Sequence, residues 1–588
     1  MTIDELKNLD TSKFTRAAES WSAVSNRSSA ARGRVDHDML ATLDATQHGF
    51  GADAARSRLG RLSKNYEYIH AECGMVRTVL TGVAEELAGP QRKLKQALED
   101  AAALKFTVKL DGSVEYPKSP STPAPLVPSP AAPGAMPSLL KPESTPDPNQ
   151  AKAQEIANRI GEALKEAAEI DARYARVLAK LTADPDLNKT DGSDVARDFR
   201  DLRAAAGKHF SDSAIPKNKS PKENAAWWKR LSQAERDEYM ALYPDRIGAL
   251  DGVPAAVRDN ANRGYLPILM GRLEEQDDDK SRTQLEGLKV IDEKLKSGSR
   301  PPMFLLGVSD SGNGRAIVSY GDPDAAKNVS VYVPGLGTKL DKDFADGGLE
   351  RAQQTALEAQ KFDRSSASVV WLGYDAPLMG VDQGLDNLDV ADKVKAKRGA
   401  VDYDHFLEAV HVTNQNKDPH VTAIGHSYGS LTVGMSSQRP GGVPADDVIL
   451  LGSPGAGVKK AADLGVGADH VFVGAAENDP VSKLPSKTDA AASLAGELIF
   501  GPVGGVAAHE VAGLLGEDDE NWFGTDPASE AFGARRFKVA DGPLPLVEKG
   551  FMPAHSGYFD PERDPESARN IGLIVSGHSN QITPEKRR

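Results

Sequence analysis

Apolar residues recur at helical spacing through the first hundred positions of the chain. Leu6, Leu9, Phe14, Ala17, Trp21 and Val24 form one series, and Leu80, Val83, Leu87, Leu94 and Leu98 a second. Gly49-Phe50-Gly51 falls between two long helical stretches and reads as the turn of a helical hairpin. In "FTVKLDGSVEY" the pattern predicts a small β-hairpin with Asp111-Gly112 at its turn. The periodicity then stops. Pro117 to Pro148 holds eleven prolines in 32 residues, a composition that cannot bury a core and that reads as an extended spacer. Helical spacing returns from 149 to 295, where Ser232 and Glu235 form a capping box and Trp227 and Trp228 read as packing anchors.

Beyond 296 the period changes again. "MFLLGVSDSGNGRAIVSYGD" predicts two antiparallel strands around Ser311-Gly312-Asn313-Gly314. Short, almost continuously apolar runs follow: "VSVYVPG", "SVVWLGYD", "HVTAIGHS", "DVILLGSPG" and "HVFVGAAEND", with a last strand expected in "RRFKVADG" near 535–542. Apolar strands separated by helical or loop stretches indicate a mostly parallel sheet covered by helices on both faces. The expected organisation is therefore a helical hairpin over 1–116, a proline-rich linker over 117–148, a helical domain over 149–295 and an α/β domain over 296–588.

Composition narrows the function classes. The 588 residues include 71 Lys and Arg against 85 Asp and Glu, a net charge of −14 that argues against nucleic-acid binding. The single cysteine, Cys73, allows no intramolecular disulfide and reads as a small helix residue. The N-terminus lacks a basic stretch followed by an apolar core, and no segment is long and apolar enough for a membrane span. These features predict a cytoplasmic protein or one exported by a route that needs no such signal.

The chemistry centres on "VTAIGHSYGS". A serine hydroxyl becomes a useful nucleophile when a sharp strand-to-helix turn exposes it and a base takes its proton. Gly425 and Gly429 permit such a turn around Ser427, between the strand "VTAI" and the helix "GSLTVGMSSQ". On this type of site the acid follows a later strand and the base follows the last one. Asp479, in "AENDPVS", is the expected acid, with Glu477 as its runner-up; His555, in "PAHSGYF", is the expected base, with His509 and His578 as rivals. His426 adjoins the nucleophile but is expected to point away from its oxygen. The oxyanion donors are expected to be the Tyr428 N–H and one from "PGLGT", either Leu336 or Gly337. This chemistry requires neither a cofactor nor a metal.

"VYVPGLGT", "WLGYDAP", "GHSYGS", "LLGSPG", "VGAAENDPVS" and "HSGYF", in this order, resemble an actinobacterial α/β-hydrolase family labelled a domain of unknown function. "WWKRLSQAERDEYMALYPDRIGALDGVPAAVRDNANR" resembles the helical segment that precedes that core. The resemblance covers roughly 220–580 and implies an α/β-hydrolase fold with the triad Ser427, Asp479 and His555. The first hundred residues resemble the helical hairpins of WxG-type secretion substrates, although the turn "HGFGADAA" lacks the tryptophan; "YIHAE" fits a Y-x-x-x-D/E secretion pattern.

The expected activity is hydrolysis of a small-molecule or lipid ester through an acyl-enzyme. The alternative is a secreted or cell-surface interaction protein, meeting its partner through the helical hairpin, whose hydrolase-like domain is a toxic warhead or an inactive scaffold. The apolar stretch 484–522, between the acid and the last strand, reads either as a lid over an acyl pocket or as a packed helix pair.

Overall fold

The computed structural model describes residues 1–40, 43, 47, 49–118, 147–181, 187, 192–207, 211–378, 393–483, 520–521, 523–543 and 553–588. Most of the proline-rich linker, nearly all of 484–522 and His509 lie outside the described residues. The chain packs as two units: residues 1–29, 69–187 and 198–211 form one, and 30–68, 188–197 and 212–588 the other.

The first unit is helical. It draws on helix Pro148–Leu178 and on helices Ser12–Gly33, Phe50–Ala103 and Gly192–Ala206, each of which also has residues in the second unit. Of the positions that gave the helical spacing, Leu6, Val83, Leu87 and Leu94 are buried, as are Ile156, Ile160 and Tyr174 of the later helix, whereas Trp21 and Val24 are exposed. Cys73 is a buried helical residue. Gly49, at φ +93°, precedes the long helix, which already includes Phe50 and Gly51. The hairpin forms as the turn chemistry indicates: Thr107 pairs with Glu115 and Val108 with Val114, and Gly112 takes a positive φ between them.

The second unit is built on one eight-stranded sheet. Its strands are β1 (Met303–Ser309), β2 (Arg315–Tyr320), β3 (Asn328–Val333), β4 (Ser366–Leu372), β5 (His420–His426), β6 (Asp447–Leu451), β7 (Val471–Gly474) and β8 (Arg535–Arg536). Their spatial order is β8-β7-β6-β5-β3-β4-β2-β1. β1 pairs antiparallel with β2 and β2 antiparallel with β4, whereas every pairing from β4 through β8 is parallel. This is an α/β-hydrolase architecture. The last strand is shorter than its sequence suggests, because pairing with β7 ends at Arg536 and Phe537 turns to bridge Pro584.

The continuous apolar runs have a simple cause. Strand side chains alternate faces, and here both faces are covered. Tyr332, Val370, Ile424, Ile449 and Phe472 enter one core, with helices Leu349–Gln360 and Pro565–Val575. Their neighbours Val331, Val369, Ala423, Val448 and Val471 enter the other, with helices Lys393–Thr413 and Gly429–Ser436. The first core also takes Leu266, Leu269, Leu288 and Ile291, so the helices upstream of 296 help cover the sheet. Trp228 is buried and Trp227 sets its ring against Tyr239 at 5.4 Å, as packing anchors do.

At the starting ends of the central strands, two histidines share one buried carboxylate. Asp447 accepts from His470 at 2.7 Å and faces His420 Nε2 at 3.1 Å, with Asp446 3.9 Å from the other His420 nitrogen. His420 Nε2 also lies 3.3 Å from the Ile574 carbonyl. Burial would lower the His420 pKa, but the Asp447 and Asp446 carboxylates outweigh it and raise it. A raised folded-state pKa contributes stability below the unfolded value, and that stability is lost as pH rises through the folded one. His420→Gln should therefore cost more stability at about pH 5.5 than at about pH 9. Denaturant midpoints at the two pH values check this, and a difference from wild type that does not vary with pH would contradict it.

Candidate active site

Ser427 follows β5 directly and has φ +56°, one of four non-glycine residues in left-handed backbone among those described. That conformation costs of the order of 1–3 kcal/mol in a residue with a side chain. The surroundings leave no other path. The Ser427 N–H donates to the Leu451 carbonyl at the end of β6, 2.9 Å away, and the Ser430 N–H closes on the Ser427 carbonyl at 3.0 Å. A Cβ on Gly429 would stand 2.2 Å from the Val333 carbonyl oxygen, and one on Gly425 2.6 Å from Ser430 Cα. These contacts, rather than flexibility alone, explain both glycines of the G-x-S-x-G pattern. The helix Gly429–Ser436 that follows is buried at every position.

The other two expected residues meet each other. Asp479 lies in the loop after β7 and is fully buried, and its two oxygens sit 2.9 and 3.1 Å from His555 Nδ1. Burial alone would raise the Asp479 carboxyl, but His555, the Tyr558 hydroxyl and the Val481 N–H together hold it below its ordinary value. The Val481 N–H donates at 2.9 Å and the Tyr558 hydroxyl at 2.6 Å. Glu477, two residues earlier, is exposed, and His578 lies at the end of the last long helix with its Nδ1 3.1 Å from the Ser576 hydroxyl.

Two links bring the Asp479–His555 pair to the Ser427 turn. The His426 ring stacks on the His555 ring at 4.5 Å between centroids, and His426 Nε2–H donates to the His555 carbonyl at 2.8 Å. Burial, with His555 beside it, pushes the His426 pKa well down, so this imidazole is neutral and carries its proton on Nε2. Gly452, just past the Leu451 that anchors Ser427, lies against the pair from the other side: a Cβ there would be 2.5 Å from Asp479 Oδ2 and 2.8 Å from His555 Nδ1. Ser427 and His555 are both largely buried, at 8% and 7% exposure, and share no hydrogen bond. Resting enzymes often hold such a contact long and close it when substrate binds.

The loop after β3 runs over the turn. A Cβ on Gly335 would be 2.5 Å from Ser427 Cβ and 3.0 Å from its hydroxyl, so this backbone passes within contact of the serine. The two oxyanion candidates in the loop differ. The Gly337 N–H is already donated to the Pro377 carbonyl at 2.8 Å, whereas the Leu336 N–H meets no acceptor among the described residues. Tyr428, on the far side of Ser427, opens the helix and packs its ring edge-on against Phe523 at 5.6 Å.

Tyr558, His426 and Gly452 were not read from the sequence as parts of this site. "HSGYF" does place an aromatic hydroxyl three residues after His555, and a buried tyrosine needs a polar partner. Which partner depends on the turn, and no periodicity describes a turn.

Residues 310–488 match the family described as alpha/beta hydrolase, a span that holds Ser427 and Asp479 and stops short of His555. The uncharacterized protein Rv2079 of Mycobacterium tuberculosis is 29% identical over 391 residues, 61% of this chain and 56% of its own. The uncharacterized protein Mb0988c of Mycobacterium bovis is 35% identical over 207 residues, 34% of this chain and 74% of its own, and Rv0963c of M. tuberculosis matches to the same extent. The chain thus spans little more than half the length of the longer relatives. No solved structure matches it.

Tyr558 also accepts the Ala476 N–H at 3.0 Å, so Tyr558→Phe strips a donor from Asp479 and an acceptor from Ala476. The expected cost is about 1–3 kcal/mol for the Ala476 N–H left unpaired, with a smaller part for Asp479, which keeps His555 and the Val481 N–H. The loss should be largest near neutral pH and shrink in acid, because a carboxylate with a depressed pKa contributes stability above its unfolded value and loses it as pH falls. Urea melts of both proteins across the acid range check the size and the sign.

Proposed function

Because the chain belongs to the alpha/beta hydrolase family, we propose that it is a serine hydrolase that cleaves carboxylic esters through an acyl-enzyme. The observation that carries this reading is the buried Asp479–His555 hydrogen bond, set at the strand ends beside a serine in left-handed backbone.

In the proposed mechanism the Asp479 carboxylate accepts a hydrogen bond from His555 Nδ1–H, which leaves Nε2 as the base. His555 takes the Ser427 proton as Oγ attacks the ester carbonyl carbon. The carbonyl oxygen becomes an oxyanion and meets the N–H groups of Tyr428 and Leu336. Leu336 is preferred to Gly337 because the Gly337 N–H is committed to Pro377. The alcohol leaves with the proton from His555. Water then attacks the acyl-enzyme by the same route in reverse and frees the acid and the Ser427 hydroxyl.

The test is labelling with a fluorophosphonate together with turnover of a chain-length series of p-nitrophenyl esters. Wild type should label and turn over, and Ser427→Ala should do neither. A folded wild type that stays unlabelled would falsify the catalytic reading. His555→Ala should lower kcat by at least about 10³-fold while the fold persists.

Gly452→Ala provides a finer check. Its methyl group would press on Asp479 and His555 while the backbone at φ +49° resists a side chain. A displacement of about 1 Å at such a site costs roughly 10²-fold in rate. Steady-state kinetics on the folded variant should show that loss in kcat; wild-type turnover would mean that the pair does not need this packing.

A further inference from the structure

The oxyanion loop is held in place by groups that the proposed mechanism does not itself use. "WLGYDAP" contributes Asp375, just past β4, and the tip of the β1–β2 hairpin contributes Asn313 and Arg315. Arg315 grips the Asp375 carboxylate with both ends of its guanidinium, at 2.7 and 2.8 Å. The same carboxylate accepts the Asn313 N–H at 2.7 Å. Asn313 then reaches the oxyanion loop: its carbonyl accepts the Leu340 N–H at 2.9 Å, and its side-chain amide lies 3.4 Å from the Ala376 carbonyl. Pro377, two residues past Asp375, accepts the Gly337 N–H.

Leu336 thus sits on a strap fastened at three points. Gly335 abuts Ser427, Gly337 is tied to Pro377, and Leu340 is tied to Asn313. Two of these ties lead back to the segment that begins with Asp375. The packing at the hairpin tip is equally close. A Cβ on Gly312 would stand 2.1 Å from Asp375 Oδ1, and one on Gly314 2.3 Å from Leu340 Cβ, with both glycines at positive φ.

We infer that Asp375 and Arg315 are positioning residues for the oxyanion hole: the ion pair locks the hairpin tip onto the loop after β4, and the two together set where the Leu336 N–H points. The inference rests on the serine-hydrolase reading and extends it to residues that touch no reacting atom. A donor contributes to catalysis only if it is already aimed at the place where charge develops. A shift of the strap would therefore slow the chemistry while leaving the substrate pocket's affinity nearly intact. The bidentate fork matters as well, since lysine presents a point charge where arginine presents two parallel donors.

The full-length chain tests this with a p-nitrophenyl ester as substrate and a fluorophosphonate as probe. Asp375→Ala should lower kcat about ten- to a hundredfold with KM within about twofold of wild type, and should slow fluorophosphonate labelling to a similar degree. Asp375→Asn should recover part of the loss, because its carboxamide oxygen can still accept the Asn313 N–H. If Asp375→Ala fails to fold, Arg315→Lys takes its place, keeping the charge and losing the fork, with the same expected split between kcat and KM. A folded Asp375→Ala or Arg315→Lys protein with wild-type kcat overturns the inference, and so does a loss confined to KM. A wild type that neither labels nor turns over overturns the hydrolase reading itself, and the inference with it.

Discussion

Ser427 occupies left-handed backbone because the ends of three neighbouring strands close around it. Leu451, ending β6, accepts its N–H, and Val333, ending β3, lies so near Gly429 that no side chain fits there. The strain, of order 1–3 kcal/mol, is modest beside what the following helix contributes. Leu431 and Val433 are wholly buried, and burying one such side chain is worth about 1.5–3 kcal/mol. The sheet can therefore hold a serine in an unfavourable conformation and remain stable. Everything else at the site is arranged relative to that turn.

The second constraint is electrostatic. A fully buried carboxylate must find partners, since removing one member of a buried pair typically costs about 3–5 kcal/mol. Asp479 finds three: the His555 imidazole, the Tyr558 hydroxyl and the Val481 N–H. They keep it ionised and leave its charge beside one ring nitrogen, His555 Nδ1. His426 is the neutral counterpart. It is buried against His555, holds the backbone of the His555 loop through its carbonyl, and adds no positive charge beside the imidazole.

Much of this was legible in the residues. The parallel sheet follows from apolar runs buried on both faces, and the five central strands lie where those runs lie. The serine turn was legible because Gly425 and Gly429 flank Ser427 at a strand-to-helix change. Of the two acids that the sequence offers after β7, Asp479 is buried and Glu477 is exposed. Other features depend on contacts between segments far apart in the chain, which leave no local pattern. The Gly337–Pro377 hydrogen bond tells apart two N–H groups that the sequence leaves level, and the fit of Gly452 depends on its positive φ and on Asp479 and His555 lying against it. The final strand reads as longer than it is because Phe537 and Val539 continue a strand-like alternation in "RRFKVADG" after its register with β7 has ended.

The central claim is that Ser427, His555 and the Leu336 and Tyr428 N–H groups act on one carbonyl. A crystal structure of the fluorophosphonate adduct tests it most directly. The account predicts phosphorus bonded to Ser427 Oγ, the phosphoryl oxygen within hydrogen-bond distance of the Leu336 and Tyr428 nitrogens, and His555 Nε2 turned toward Ser427 Oγ. An adduct on another residue, or a phosphoryl oxygen directed away from both N–H groups, would contradict it.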